Sequence, residues 1–525
     1  MMAPEPAALP DDVLAEVLQR LSPLVLAASR RVCRAWRDLV DARLRGHLLS
    51  RSVRGIFINF IAFRYDWSEF FSCPSTGPAI CGGFYFLPTD RVTLMDHCNG
   101  LLLCGDGGRE YVVNPATRRW ARLPRRPPPH MRGFGQSAYL AFDPAVSPHY
   151  EVFVIPRLPV PAFFGESDDE DDSLLESEWP PASCVLHVFS SMADQWDEKT
   201  FLRQGEAAGV VADRDPDRWY NEYHAVYWRS VLYIHGQHGY LTRMSMTNHT
   251  YRVIRLPGGD ELRLPADYER RAYPCYRLGR SLRGVYCARI NHPNRLQLWH
   301  LDESRGQTEW VVMHDIDLEI FAPKHDALNH YREPAPVEEK YDWNSDEDNV
   351  LDIEDAAEGG YGGHYHFLGF HPYKEIVYLY LDVAGRGLAY DWNKSRFQDL
   401  GSLGPMVSYY QPPTGTDPSF AYMPCWMGEF PGNELETLLE YEKLLRRKLE
   451  MKAQREDESN YTFVDEYELR KLRGHAKRVK DSAKIRRRHR IAAQQEPTFT
   501  DMKSKTTKFF DLGSMDPVSV KLSSF

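Results

Sequence analysis

"YVVNPATRRWARLP" occupies Tyr111–Pro124. Two runs with strand character flank a turn containing Asn, Pro and Thr, and Trp120 sits near the start of the second run. This is the composition of a β-hairpin. The unit returns as "LHVFSSMADQWDEKTF", "LTRMSMTNHTYRVIRLP", "LQLWHLDESRGQTEWVVMH" and "GLAYDWNKSRFQDLG", with Trp120, Trp196, Tyr251, Trp310 and Phe397 in equivalent places. Further strand pairs precede several of these, for example "NEYHAVYWRSVLYIHG" and "YHFLGFHPYKEIVYLYLDV". Four antiparallel strands per repeated unit is the sequence form of a β-propeller blade. The five aromatics are 76, 55, 59 and 87 residues apart. Common blades take about 40–50 residues, so long loops or blades with a weaker signal must fill the difference.

This β-rich body covers 53–425. Two acidic stretches within it, 163–181 and 338–363, are poor in branched apolar residues and are expected to be disordered. The ends of the chain have another period. Residues 8–48 read as three short helices, and 433–525 as a helix followed by a basic, partly disordered tail. The fold class is therefore mainly β with α termini.

In the first of these helices Val13, Leu14, Val17, Leu18 and Leu21 recur at helical spacing, with Asp11 and Asp12 suited to its first turn. Ser22 and Pro23 read as a cap and first helical position that restart the chain. "RRVCRAWRDLV", residues 30–40, is read as the third helix. On it Val32, Cys33, Trp36, Leu39 and Val40 form one stripe, with Arg30, Arg34, Arg37, Asp38 and Asp41 opposite. About 40 residues cannot build a core of useful size alone. The stripe must share its burial with the body or with another protein.

Composition narrows the function classes. The longest apolar run, near "GIFINFIAF", is about half of a membrane span, and "MMAPEPAALPDD" has no secretory pattern. Nine cysteines stand singly without a C-x-x-C pair, which suits a reducing compartment, nucleus or cytoplasm. Net charge is −10. Arg470–Arg490 carries eleven basic residues and one acid, +10, which leaves −20 on the rest. Lys477, Arg478, Lys480, Lys484, Arg486, Arg487, Arg488 and Arg490 form two clusters of the kind that serve nuclear import. A solvated helix face is the plainer reading, and the absence of interleaved aromatics argues against nucleic acid.

Signatures of chemistry are near misses. "DWNSDEDNV" starts like a calcium loop but has Glu347 where glycine is needed and Ile353 where the closing acid belongs. His364 and His366 share a strand face without a third ligand. No catalytic residue, metal or cofactor is indicated.

"LPDDVLAEVLQRLSPLVLAASRRVCRAWRDLV" is similar to an F-box, through Leu9, Pro10, Leu14, Val17, Leu18, Leu21, Val32, Cys33, Trp36 and Leu39. Proline follows the first helix one residue later than usual, after Ser22. "DHCNGLLLC" followed by "YVVNPATRRWARLP" resembles the first repeats of plant F-box-associated domains, which are kelch-like propellers. The resemblance implies a non-catalytic substrate receptor. The ten residues would contact the Skp-type adaptor of a cullin-based SCF ubiquitin ligase, and the β domain would hold an unknown protein target. A nuclear nucleic-acid-associated propeller using the basic tail is one alternative, and a propeller enzyme another.

Overall fold

The computed structural model describes most of residues 9–427. Residues 1–8, 428–525, the longer loops 62–66, 74–79, 159–171, 214–223, 258–274, 319–349, 352–363 and 404–414, and several short turns lie outside the described residues. The basic tail and nearly all of the calcium-like stretch fall there.

Among the described residues the body is a ring of six blades. Blade I contains Thr93–Cys98, Leu101–Gly105, Glu110–Asn114 and Arg119–Arg122 in sequential antiparallel order. Blades II (Gly135–Ala141, Glu151–Arg157, Ser183–Ser190, Gln195–Arg203) and III (Ala225–Trp228, Val231–Gly236, Tyr240–Ser245, Thr250–Arg255) repeat that order. They share one eight-stranded sheet only because their outer strands pair in parallel over two residues, Leu202 with Thr250 and Arg203 with Tyr251. Blade IV is Cys275–Ser281, Gly284–Asn291, Arg295–Asp302 and Glu309–Asp317. Blade V is Tyr365–Phe370, Ile376–Leu381, Arg386–Asp391 and Arg396–Ser402, with Val350–Leu351 added at its outer edge.

Blade VI draws on both ends of the body. Gly55–Ile61 pairs with Trp67–Ser72 on one side and with Gly415–Thr416 and Phe420–Tyr422 on the other. A hydrophobic cluster fills each gap between neighbouring blades, six in all. Alternate residues of one strand serve opposite gaps. Leu101 and Leu103 face blade II, while Leu102 and Cys104 face blade VI. Strands buried on both faces explain the unbroken apolar run "LLLC".

The repeated aromatic is the second residue of the fourth strand in blades I to V. It packs into the gap toward the preceding blade. Tyr251 and Phe397 are buried; Trp120, Trp196 and Trp310 are half-buried. The indole N–H of Trp196 donates to the Pro124 carbonyl at 3.2 Å, and that of Trp310 to Arg255 at 2.9 Å. Both carbonyls lie four residues after the aromatic of the preceding blade. Four of the five blades also share the turn before the aromatic. Arg118, Asp194, His249 and Ser395, each two residues earlier, have φ of 51° to 55°. Such left-handed residues let a short turn return the chain in register. In blades I and V the turn opens on Asn114 or Asp391, whose Oδ1 accepts two backbone N–H bonds.

"DHCNG" ties the blades at the centre. Asp96 accepts from Leu140 N at 2.7 Å, the Cys98 thiol and Asn99 amide both donate to Phe142 O, and the Arg280 guanidinium donates to Asn99 Oδ1. His97 stacks on Phe420 with ring centroids 3.7 Å apart. Gly100 takes φ +86°, and a Cβ there would lie 2.6 Å from Cys425 N.

One expectation is corrected. The second half of the acidic stretch 163–181 is ordered, as a helical turn Asp172–Leu175 and a short strand Glu178–Trp179. Trp179 is 5% exposed and stacks on Phe134, which the acidic composition of its neighbours hid.

Burial raises the Asp96 carboxyl from 3.8 to about 7, and burial together with Arg280 and His224 lowers His97 from 6.5 to about 3. The Asp96 contribution to stability therefore falls as pH rises from about 4 through about 7, and the His97 contribution grows as pH rises from about 3 to about 6.5. Asp96→Asn removes only the first, so its urea midpoint relative to wild type should rise between pH 5 and pH 8. A pH-independent difference would show that Asp96 does not titrate in this window.

Candidate functional site

The helical module contains α1 (Asp11–Leu18), α2 (Pro23–Ser29) and α3 (Arg34–Leu39), continued by a wide turn Val40–Leu44 and a tight one Arg45–Leu48. Asp11 and Asp12 stand in the first turn of α1, where the helix dipole favours them. Ser22 Oγ accepts from Val25 N at 3.5 Å with Pro23 at the first helical position.

The third helix begins later than its apolar period implied. Arg31 N and Val32 N bond back to Ala28 O and Ser29 O, and Cys33 is extended at φ −157°. Val32 and Cys33 therefore lie in the turn before α3, both exposed. Arg30, assigned to the solvated side, is 8% exposed. Its guanidinium grips both oxygens of Asp41, at 2.7 and 2.8 Å. A geometric match of two planar groups won over the simple wheel.

The ten anchors divide into two sets. Leu14, Leu18 and Leu39 are buried, and Leu21 and Trp36 half-buried, in one cluster with Leu26, Val40, Leu44, Leu48 and residues of blades I and II. Leu9, Pro10, Val17, Val32 and Cys33 are exposed. Val13 and Val25, absent from the sequence-derived set, are exposed with them at 46% and 47%. On α1 the division is regular. Leu9, Val13 and Val17 follow at steps of four along one line, and Leu14 and Leu18 along the next. The apolar arc of α1 is wider than the body covers. The module thus presents valines on all its connected parts: α1, α2 and the turn before α3. Among the described residues no helix is long and apolar enough to cross a membrane, so these side chains are not part of a spanning helix.

Residues 7–47 match the F-box domain family. The chain carries an F-box domain followed by a propeller body. It is 24% identical over 335 residues to the F-box protein At5g07610 of Arabidopsis thaliana, an alignment covering 59% of this chain and 71% of that one. It is 20% identical over 342 residues to the putative F-box/kelch-repeat protein At1g15680 of the same plant, covering 60% and 74%. Solved structures similar to it include the β-propeller domain of Cps50 (Swd1) from Myceliophteria thermophila, at 8% identity and TM-score 0.27 over 58% of this chain and 72% of that one. A DUF4784 family protein from Bacteroides caccae aligns at 10% identity and TM-score 0.31, over 70% and 74%. Scores of this size carry no argument, and the propeller assignment rests on the blades and gaps described above.

The two stripes of α1 should respond differently to truncation. Leu18→Ala removes a side chain 1% exposed and should cost about 2–5 kcal/mol in urea unfolding. Val17→Ala, at 51% exposure, should stay within about 0.5 kcal/mol of wild type. Equal losses would contradict this division.

Proposed function

We propose that this F-box protein is the substrate-recognition subunit of a cullin-based SCF ubiquitin ligase. The F-box docks on the Skp-type adaptor, and the propeller binds a protein target. The observation that carries the reading is the uncovered apolar line Leu9, Val13, Val17, joined by Val25 and Val32, on a module whose other stripe is held in the body. Exposed apolar side chains gathered on one small module favour a protein partner. The chain itself performs no bond chemistry in this reading. It raises the effective concentration of a target lysine near the ubiquitin-charged enzyme.

Docking separates cleanly from folding. The variant Val17→Asp, Val32→Asp places two charges on side chains that are 51% and 65% exposed. Its unfolding midpoint should match wild type, while adaptor co-purification falls by a factor of ten or more. Wild-type adaptor binding by that folded variant would refute the reading. Leu14→Ala is unsuited to the purpose, because Leu14 is 9% exposed and its loss disturbs the shared core.

The basic tail lies outside the described residues, and its two clusters support nuclear import as the second half of this proposal. Replacing Arg486, Arg487 and Arg488 with alanine should move a fluorescent fusion from nucleus to cytoplasm with adaptor binding unchanged. A wild-type fusion excluded from the nucleus would end the import reading.

A further inference from the structure

His130, His187 and Glu198 meet in the gap between blades I and II. His187 lies on the third strand of blade II, and Glu198 is its direct cross-strand partner on the fourth. His130 comes from the linker that leaves blade I. That linker is held across the same face at two points. Trp196 donates to Pro124 O, and His187 Nε2 lies 3.1 Å from Pro128 O. The two imidazoles stack at 4.3 Å with an interplanar angle of 23°. His130 Nε2 is 3.4 Å from Glu198 Oε1, and one ligand atom from each of the three residues lies within 4.8 Å of the others.

We propose that these three side chains bind a zinc-class divalent transition-metal ion. Two imidazoles and a carboxylate are the donor set of three-ligand zinc sites, with water in the fourth position. The Pro128 carbonyl can only accept, so Nε2 of His187 carries the proton and Nδ1 keeps its lone pair for the metal. A carbonyl behind a ligating imidazole also fixes the ring and raises its basicity. His187 is 5% exposed and set in place. His130 and Glu198 are exposed and free to turn toward it. Ligand atoms around tetrahedral zinc stand about 3.4 Å apart, so this rotation closes the site. Asp197 and Lys199 alternate to the other face of the strand, where Lys199 pairs with Glu151 at 2.7 Å, and do not compete. No motif announced the site in the sequence, because one ligand comes from an inter-blade linker and two from a cross-strand pair. A bound ion would pin that linker to blade II, beside the core that the F-box shares.

The test uses the full-length protein, stripped with a chelator and titrated with zinc ion. Bound metal and thermal unfolding are both measured. Nine cysteines could also take zinc, so the comparison with variants decides. Wild type should bind one equivalent that raises the unfolding temperature. His130→Ala and Glu198→Gln, both at exposed positions, should each weaken that binding at least tenfold with the metal-free unfolding temperature unchanged. No saturable binding to wild type, or binding that either variant leaves intact, would overturn the proposal.

Discussion

The pairing of Gly55–Phe57 with Phe420–Tyr422 is the constraint on which the ring depends. Every other blade is assembled from neighbouring strands, at small loop-closure cost. This one joins segments separated by nearly the whole body. Without it, blades I and V would each expose a hydrophobic gap face. The surrounding contacts are correspondingly dense. Asn114 donates to Cys425 O at 2.9 Å and Met427 O at 3.3 Å, and Tyr422 donates to Gly100 O at 3.2 Å. The chain enters the body at the same place. Leu49 bridges Cys425, Ser50 N bonds Pro424 O, and Trp426 N bonds Leu48 O. The end of the F-box and the end of the propeller are thus clamped together. Closure fixes both the ring and the seat of the helical module.

The repeat was legible because one position carries three demands at once. In four of the five blades a left-handed turn residue stands two positions before it, strand geometry must hold it, and the preceding blade needs a large flat side chain to fill the gap. Only aromatics satisfy the last demand, so Trp120, Trp196, Tyr251, Trp310 and Phe397 stood out. Blade VI had no such signature in its own sequence, because its strands come from both ends of the body and no single hairpin encodes it. The blade count therefore could not be read. Trp179 was missed for a related reason. Its packing partner Phe134 lies far away in sequence, and local acidity is a property of the solvated side only.

In the F-box, the period identified the helices but not their coverings. Leu14 and Val17 look alike to any hydrophobic pattern, yet one is sealed by blades I and II and the other faces solvent. A stripe records that something covers it and not whether the cover is in the same chain. The residues that the pattern placed among solvated charges also split. Arg34 and Asp38 remain exposed, while Arg30 and Asp41 close on one another across eleven residues. Burying that guanidinium costs desolvation that only a bidentate partner offsets, and no count of apolar positions can find such a partner.

The shared core has a mechanical consequence. In the proposed receptor role, two ends that moved independently would spread the effective concentration of a target over a large volume. Here Leu14, Leu18, Leu26, Leu39 and Leu48 belong to the cluster that also fills the gap between blades I and II. Rotating the F-box against the propeller would open that gap, so close packing opposes such a rotation. Whatever surface the propeller presents is thereby held at a fixed direction from the exposed valines. The inter-blade gap that stabilises the ring is also the joint that orients it.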